Sequence, residues 1–218
     1  MKLIDTYQPT KLSQIIGNKQ AVSKIERSIL MNNGLGGLVF MLTGKTGNGK
    51  TLIADIIAEN GNHEVYRPDC TKDAETATFI DMLKQDIYSR PLLADQYVYI
   101  FDEADKLSVN NITKLKTTID AIDRRRRQEL PCYVTVIFTS AKRKDELSDG
   151  QKKHWDELVT RCITCELKIT PEEINEFFDY VTMGHIQNIS RYINQRIGVI
   201  SMRAAWDYIE EHDIPIAG

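Results

Sequence analysis

The chain has 218 residues, 42% of them hydrophobic and 27% charged, enough to close one good-sized core plus a small helical addition without disulfides or metals. Its 28 basic and 31 acidic side chains leave a net charge of −3, which excludes a polybasic DNA coater and confines any nucleic-acid contact to a local patch. No run of eighteen apolar residues occurs, and Met1-Lys2-Leu3-Ile4-Asp5 has no apolar signal stretch, so the expectation is a cytoplasmic protein with no membrane span.

Asn18 is placed to cap a helix through about Met31, with Val22, Ile25 and Ile29 on one face. Gly34, Gly36 and Gly37 break it. Leu38 to Thr43 reads as a short apolar strand of the kind buried on both faces. A glycine loop follows, then a helix from about Lys50 to Glu59. His63 to Arg67 is a weaker strand. Lys72 to Tyr88 is helical, with Phe79, Leu83 and Ile87 in register. Tyr97 to Phe101 is a second continuous strand, and Ser108 caps a helix to about Asp123. Tyr133 to Phe138 is a third strong strand and Arg161 to Leu167 a last short one. Strands alternating with helices predict an α/β fold, a parallel five-stranded sheet with helices on both faces.

From Pro171 onward the pattern is helical only, and the charge changes: residues 171–218 carry −5, leaving +2 on residues 1–170. The boundary is therefore expected near Thr170-Pro171, between an α/β domain (1–170) and a small helical domain (171–218). Thr170 caps the first helix, whose apolar face is Ile174, Phe177, Phe178 and Val181. Ile186, Ile189, Ile193 and Ile197 fit a second helix, and Ser201 to Glu211 a third. Of the cysteines, Cys70, Cys132, Cys162 and Cys165, only the last two form a C-x-x-C. No histidine stands at a matching spacing, so reduced thiols are expected rather than a zinc site.

Gly44-Lys45-Thr46-Gly47-Asn48-Gly49-Lys50-Thr51 matches G-x-x-x-x-G-K-S/T between a strand and a helix. Glycines let the main chain wrap so that several N–H groups face one anion, and the following helix adds its positive end. Lys50 is expected on the β and γ phosphates and Thr51 on Mg²⁺, with Leu52 next along the helix. The strand Tyr97 to Phe101 ends in Asp102-Glu103, delivering two carboxylates to the carboxyl edge of the sheet. Asp102 is expected to hold Mg²⁺ and Glu103 to polarise an attacking water. Asp102-Glu103-Ala104-Asp105 also spells the DEAD string of helicases, but one phosphate loop leaves no second lobe. Thr139-Ser140 ends the third strong strand, and either hydroxyl is placed to reach the γ-phosphate or its water.

With these motifs in hand, the chain resembles the AAA+ ATPases, and within them the clamp loaders. Tyr7-Gln8-Pro9 followed by Ile15-Ile16-Gly17 is similar to the clamp-loader opening, implying that Tyr7, Pro9, Ile15 and Ile16 pack on adenine. Thr160-Arg161-Cys162 is similar to the Ser-Arg-Cys motif, with Thr for Ser. The resemblance implies that Arg161 reaches the γ-phosphate of a neighbouring subunit, so that the working form is an oligomer of this chain or of related AAA+ subunits. Ser201-Met202-Arg203-Ala204-Ala205 is similar to the sensor 2 stretch of the lid and implies that Arg203 acts on its own subunit's nucleotide.

The family's helix after the Asp-Glu strand lies near DNA. Lys114, Lys116 and the run Arg124-Arg125-Arg126-Arg127 are therefore DNA candidates. The implied activity is ATP hydrolysis with Mg²⁺, stimulated by DNA or a partner and used to load a sliding clamp or a replicative helicase. A nucleotide-gated adaptor with little turnover is the alternative. A small-molecule P-loop kinase fits less well, because the acids, Arg161 and the opening match AAA+ proteins. Cellular clamp loaders continue into a helical collar. A chain ending at Gly218 implies a minimal member (viral or from a mobile element, hence cytoplasmic in a bacterial host), a helicase loader or a fragment.

Overall fold

The computed structural model describes residues 8–142, 146–182, 201–212 and 214. Five strands, β1 (Val39–Thr43), β2 (His63–Tyr66), β3 (Gln96–Phe101), β4 (Val134–Ser140) and β5 (Ile163–Glu166), form one sheet in the order β2-β3-β4-β1-β5. Every pairing is parallel. Helices α1 (Lys19–Met31), α2 (Lys50–Glu59), α3 (Asp73–Asp86), α4 (Val109–Arg127) and α5 (Asp149–Val159) complete the α/β part. Helices α6 (Pro171–Thr182) and α7 (Met202–Glu211) follow.

The unbroken apolar strands read from the sequence are those covered on both sides. In β1, alternate residues feed two cores: Val39 and Met41 face one with Tyr99, Phe101 and Phe138, while Phe40 and Leu42 face the other with Ile100 and Ile137. The first core is closed by α3, α4 and α5 and the second by α1 and α2. Phe101 and Phe138, neighbours in register, stack at 5.3 Å. A third cluster joins α6 to α7 through Phe177, Phe178, Ala205 and Trp206, with Phe177 edge-on to Trp206 at 5.0 Å. Phe178 is fully buried there, a burial that contributes about 2 kcal/mol.

Several boundaries differ from expectation for local reasons. Asn18 precedes α1 but does not cap it: its φ is +54°, and its amide donates instead to the Asn48 carbonyl at 3.0 Å. Ser108 caps α4 as expected, accepting from the Asn111 N–H. That helix runs one turn past Asp123, so the four arginines form its last turn, where cations complement the helix dipole. Glu129, at φ +54°, ends it, with the Leu130 N–H closing back on the Arg125 carbonyl at 3.0 Å.

Helix α5 was not legible in the sequence, because among Asp149–Val159 only Trp155 and Leu158 are buried. Arg161 lies in the turn after α5 rather than in β5. Thr170 caps α6 as expected, accepting the Glu173 N–H at 3.2 Å, and the Glu173 carboxylate accepts the Thr170 N–H in return at 3.0 Å. The expected helix through Ile186 to Ile197 lies outside the described residues. Cys162 packs with the first core and Cys165 with the second, so the C-x-x-C thiols face opposite sides of the sheet and cannot converge on one metal.

Candidate active site

Strand order assembles the site. Because β4 lies between β1 and β3, Thr139 stands beside Leu42 on one flank, and the register carries it next to Asp102 on the other. The loop from Gly44 to Gly49 leaves the carboxyl end of β1 at that edge. Gly44, Gly47 and Gly49 have φ of +147°, +86° and +86°, values side chains rarely adopt. A Cβ at Gly44 would collide with the Leu167 carbonyl, and one at Gly47 would lie 3.0 Å from Ser201 Oγ. The loop is thus held between the exit of β5 and the start of α7. Asn48 secures it, donating to the Leu167 carbonyl at 3.1 Å and accepting from Asn18 through its own carbonyl.

Lys50 is buried in the first turn of α2, and its Nζ donates to the Gly44 and Lys45 carbonyls at 2.7 and 2.9 Å. Burial pushes its pKa below the ordinary lysine value, with the Asp102 carboxylate pulling the other way. Thr51 Oγ1 lies 3.2 Å from both Asp102 carboxylate oxygens. This hydroxyl and carboxylate are hard oxygen donors on one side of the loop, a set that fits Mg²⁺ with retained waters. Leu52 is half-buried one residue further along α2, while Lys45 and Thr46 are exposed at the loop tip.

Thr139 is buried, donates its hydroxyl to Asp102 and accepts the Glu103 N–H at 3.0 Å. Ser140 points to the other face, 3.1 Å from Asp105 Oδ1. Of the two hydroxyls left open by the sequence, Thr139 is the one against the acidic pair. Glu103 sits at φ +52° with its side chain exposed and paired to Lys106. Lys106, Asp105 and Asn18 are contributors to which sequence reasoning gave no role at the site; Asp105 closes the DEAD string and Lys106 follows it, and Asn18 was read as a cap.

Ile15 packs on the core beneath α2, and Ile16 on the cluster of α6 and α7. Between them and that cluster lies Gly17, whose added Cβ would stand 3.1 Å from Ile169 and 3.3 Å from Met202. Pro9 is half-buried at the start of this segment; Tyr7 lies outside the described residues. Arg203 adjoins the phosphate loop: its N–H donates to the Gly47 carbonyl at 3.4 Å, and its charge acts on Lys50.

Arg161 stands at the opposite edge. Ile163 is opposite Phe40, four residues before Gly44, so Arg161 is separated from its own phosphate loop by at least ~13 Å of strand. It grips Asp120 through Nε and Nη2 at 2.7 and 3.2 Å and the Glu157 carbonyl through Nη1. The bond to Asp120 raises its pKa further.

Among the DNA candidates, Lys116 is only 8% exposed and is bound by Glu157 and, at 3.0 Å, His154. It is a helix-packing residue and is not presented to a phosphate, because its position on α4 faces α5. Lys114 is half-buried, with Asp81 of α3 feeling its charge. Arg124, Arg126 and Arg127 are exposed and Arg125 is half-buried.

The fold is that of the AAA+ P-loop ATPases. Its parallel five-stranded sheet and helices align with RuvB, the Holliday junction branch migration motor of Thermotoga maritima, over 96% of this chain and 74% of that one (TM-score 0.54, 18% identity). AMPPCP-bound DnaA of Aquifex aeolicus aligns over 94% and 65% (TM-score 0.59, 14% identity). In sequence the chain is 30% identical over 121 residues to the replication factor C large subunits of Pyrococcus horikoshii and Pyrococcus abyssi. That match covers 54% of this chain, and the chain spans about a quarter of the length of these relatives. No family model matches. Among the described residues, no helix is long and apolar enough to cross a membrane.

Proposed function

We propose that the chain is an ATP-hydrolysing AAA+ subunit of DNA replication that uses ATP to load a ring-shaped partner, a sliding clamp, onto DNA. The single observation that carries the ATPase reading is the convergence of Lys50, Thr51, Asp102 and Thr139 beside the glycine loop. The clamp-loader reading draws its support from the likeness to replication factor C large subunits.

In this reading the loop amides and Lys50 bind the triphosphate, exchanging the Gly44 and Lys45 carbonyls for phosphate oxygens. Thr51 and Asp102 are the residues that would hold Mg²⁺, which would supply charge neutralisation to the phosphates when bound. Glu103 releases Lys106, turns inward and orients the attacking water. Thr139 fixes the backbone of Glu103 and the carboxylate of Asp102. Arg203 senses the nucleotide from α7, and Arg161 of a neighbouring copy stabilises the charge that develops in the transition state. Turnover is therefore low in the isolated chain and rises on assembly with DNA and partner.

The test is ATPase rate with and without primed DNA in wild type, Lys50→Ala, Glu103→Gln and Arg161→Ala. Lys50→Ala should lose nucleotide binding by calorimetry. Glu103→Gln and Arg161→Ala should bind normally and lose turnover, by about a thousandfold for Arg161→Ala. Equal near-zero rates in wild type and Glu103→Gln would instead make the chain a nucleotide-gated adaptor.

A further inference from the structure

Helix α5 runs from one edge of the sheet to the other. It follows β4, whose last residue, Ser140, stands at the carboxyl edge, and it precedes β5, so Arg161 leaves it at the amino edge. Its eleven residues span about 16 Å. Apolar packing holds it lightly, since only Trp155 and Leu158 are buried. Its placement therefore rests on the polar anchors near its two ends.

At the amino edge, Lys116 of α4 binds Glu157 and His154, and Arg161 bonds back to the Glu157 carbonyl while gripping Asp120. At the carboxyl edge the connection runs through Gln151. Its Nε2 donates to the carbonyls of Asp105 and Leu107, at 3.3 and 2.9 Å. These carbonyls belong to the tight turn after Glu103 (Ala104–Lys106) and its exit. The buried Asp105 carboxylate holds that turn to the end of β4, accepting from Ser140 Oγ and the Ala141 N–H at 3.1 and 3.3 Å. Gln151 Oε1 meanwhile accepts from the Ser148 N–H and Oγ, at 3.4 and 2.8 Å, and so completes the cap of α5. One amide thus starts the helix with its acceptor and fixes that helix to the acidic turn with its donor.

We propose that Gln151 is a positioning residue for Arg161: it sets α5 against the acidic turn of its own copy, and so sets where the guanidinium stands against a neighbour's nucleotide. The inference rests on the ATPase reading above, Arg161 acting on a neighbouring copy included, and adds to it a residue roughly three helical turns before that arginine. A short helix shifts as a unit, by about 1–2 Å in known transitions. A misplacement of about 1 Å at a reacting centre costs about a hundredfold in rate. Glu103 and Arg161 serve two different nucleotides, and α5 joins the turn that carries one to the turn that carries the other.

The test mixes two variants of the full chain. Arg161→Ala keeps its phosphate loop and lacks the arginine; Lys50→Ala keeps the arginine and lacks a working loop. Turnover in the mixture then comes from the first copy's loop served by the second copy's arginine. Gln151→Glu separates the two jobs of the side chain. A glutamate still accepts from Ser148 and keeps the cap, but it has no N–H for the two carbonyls. Placed in the Lys50→Ala copy, it should lower kcat of the mixture about tenfold with KM for ATP within about twofold. Placed in the Arg161→Ala copy, it should leave kcat within about twofold. Gln151→Met, which loses cap and donor together, should lower kcat at least as much from the Lys50→Ala copy. Far-ultraviolet circular dichroism checks that each variant folds, and either one carries the test if the other does not.

An unchanged kcat with Gln151→Glu in the Lys50→Ala copy would overturn the proposal. So would an equal loss from the Arg161→Ala copy, which would make Gln151 a support of its own acidic turn. If the unmodified pair restores no turnover while wild type hydrolyses ATP, the role of Arg161 on its neighbour falls and this inference with it. A pair that restores turnover and is indifferent to Gln151→Glu sinks this inference alone.

Discussion

Replacing Thr139 with Val removes one hydroxyl and almost no volume, so it isolates the hydrogen bonds that join β3, β4 and the acidic pair. The hydroxyl is buried, donates to Asp102 and accepts the Glu103 N–H at 3.0 Å. Losing a neutral bond costs about 1 kcal/mol, and losing one to a carboxylate about 2. Asp102 and Glu103 retain access to water, so the expected destabilisation is about 2–3 kcal/mol rather than the full penalty for orphaned groups. For a chain of this size that lowers the melting temperature by roughly 5–10 °C.

The functional effect should be larger in kcat than in nucleotide affinity, because Thr139 positions Asp102 and Glu103 and does not belong to the loop. Urea unfolding measures the first quantity and steady-state ATPase the second. Thr139→Ser should recover most of both. Ser140→Ala, which loses a bond to Asp105 instead, should spare kcat far more than Thr139→Val does. If Thr139→Val unfolds within about 0.5 kcal/mol of wild type and turns over normally, the hydroxyl does not organise the acidic pair, and the argument from register is wrong.

Gly44→Ala places a methyl against the Leu167 carbonyl at φ +147°, so the loop must move off β5; nucleotide affinity should fall at least tenfold, read by fluorescent ATP. The depressed pKa of Lys50 sets a pH signature. A bound triphosphate draws that pKa back up, so between the free and bound values binding takes up a proton, and ATP affinity falls as pH rises through the free-state value. Calorimetry in buffers of different ionisation enthalpy reads this uptake, and Lys50→Arg should abolish it. The depressed pKa also works on stability in the nucleotide-free chain. Burying the ammonium opposes folding below the folded pKa, and that penalty shrinks as pH rises toward the ordinary value of 10.5.

What the sequence determined by itself was whatever is written in contiguous residues. The phosphate loop, the Asp102-Glu103 strand end and the apolar runs of β1, β3 and β4 each state their physics within eight residues. A glycine turn, a carboxylate pair and a strand buried on both faces are local facts, and the order of elements along the chain implied the parallel sheet. Tertiary structure alone decided which of these side chains meet. Neither the choice between Thr139 and Ser140, one residue apart, nor the withdrawal of Lys116 to pair with Glu157 is visible without the strand order and the packing of α4 on α5. The arginine run is the sharpest case. Four identical neighbours differ in what they face because a helix turns about 100° per residue, and only its neighbours say which direction is protein and which is open.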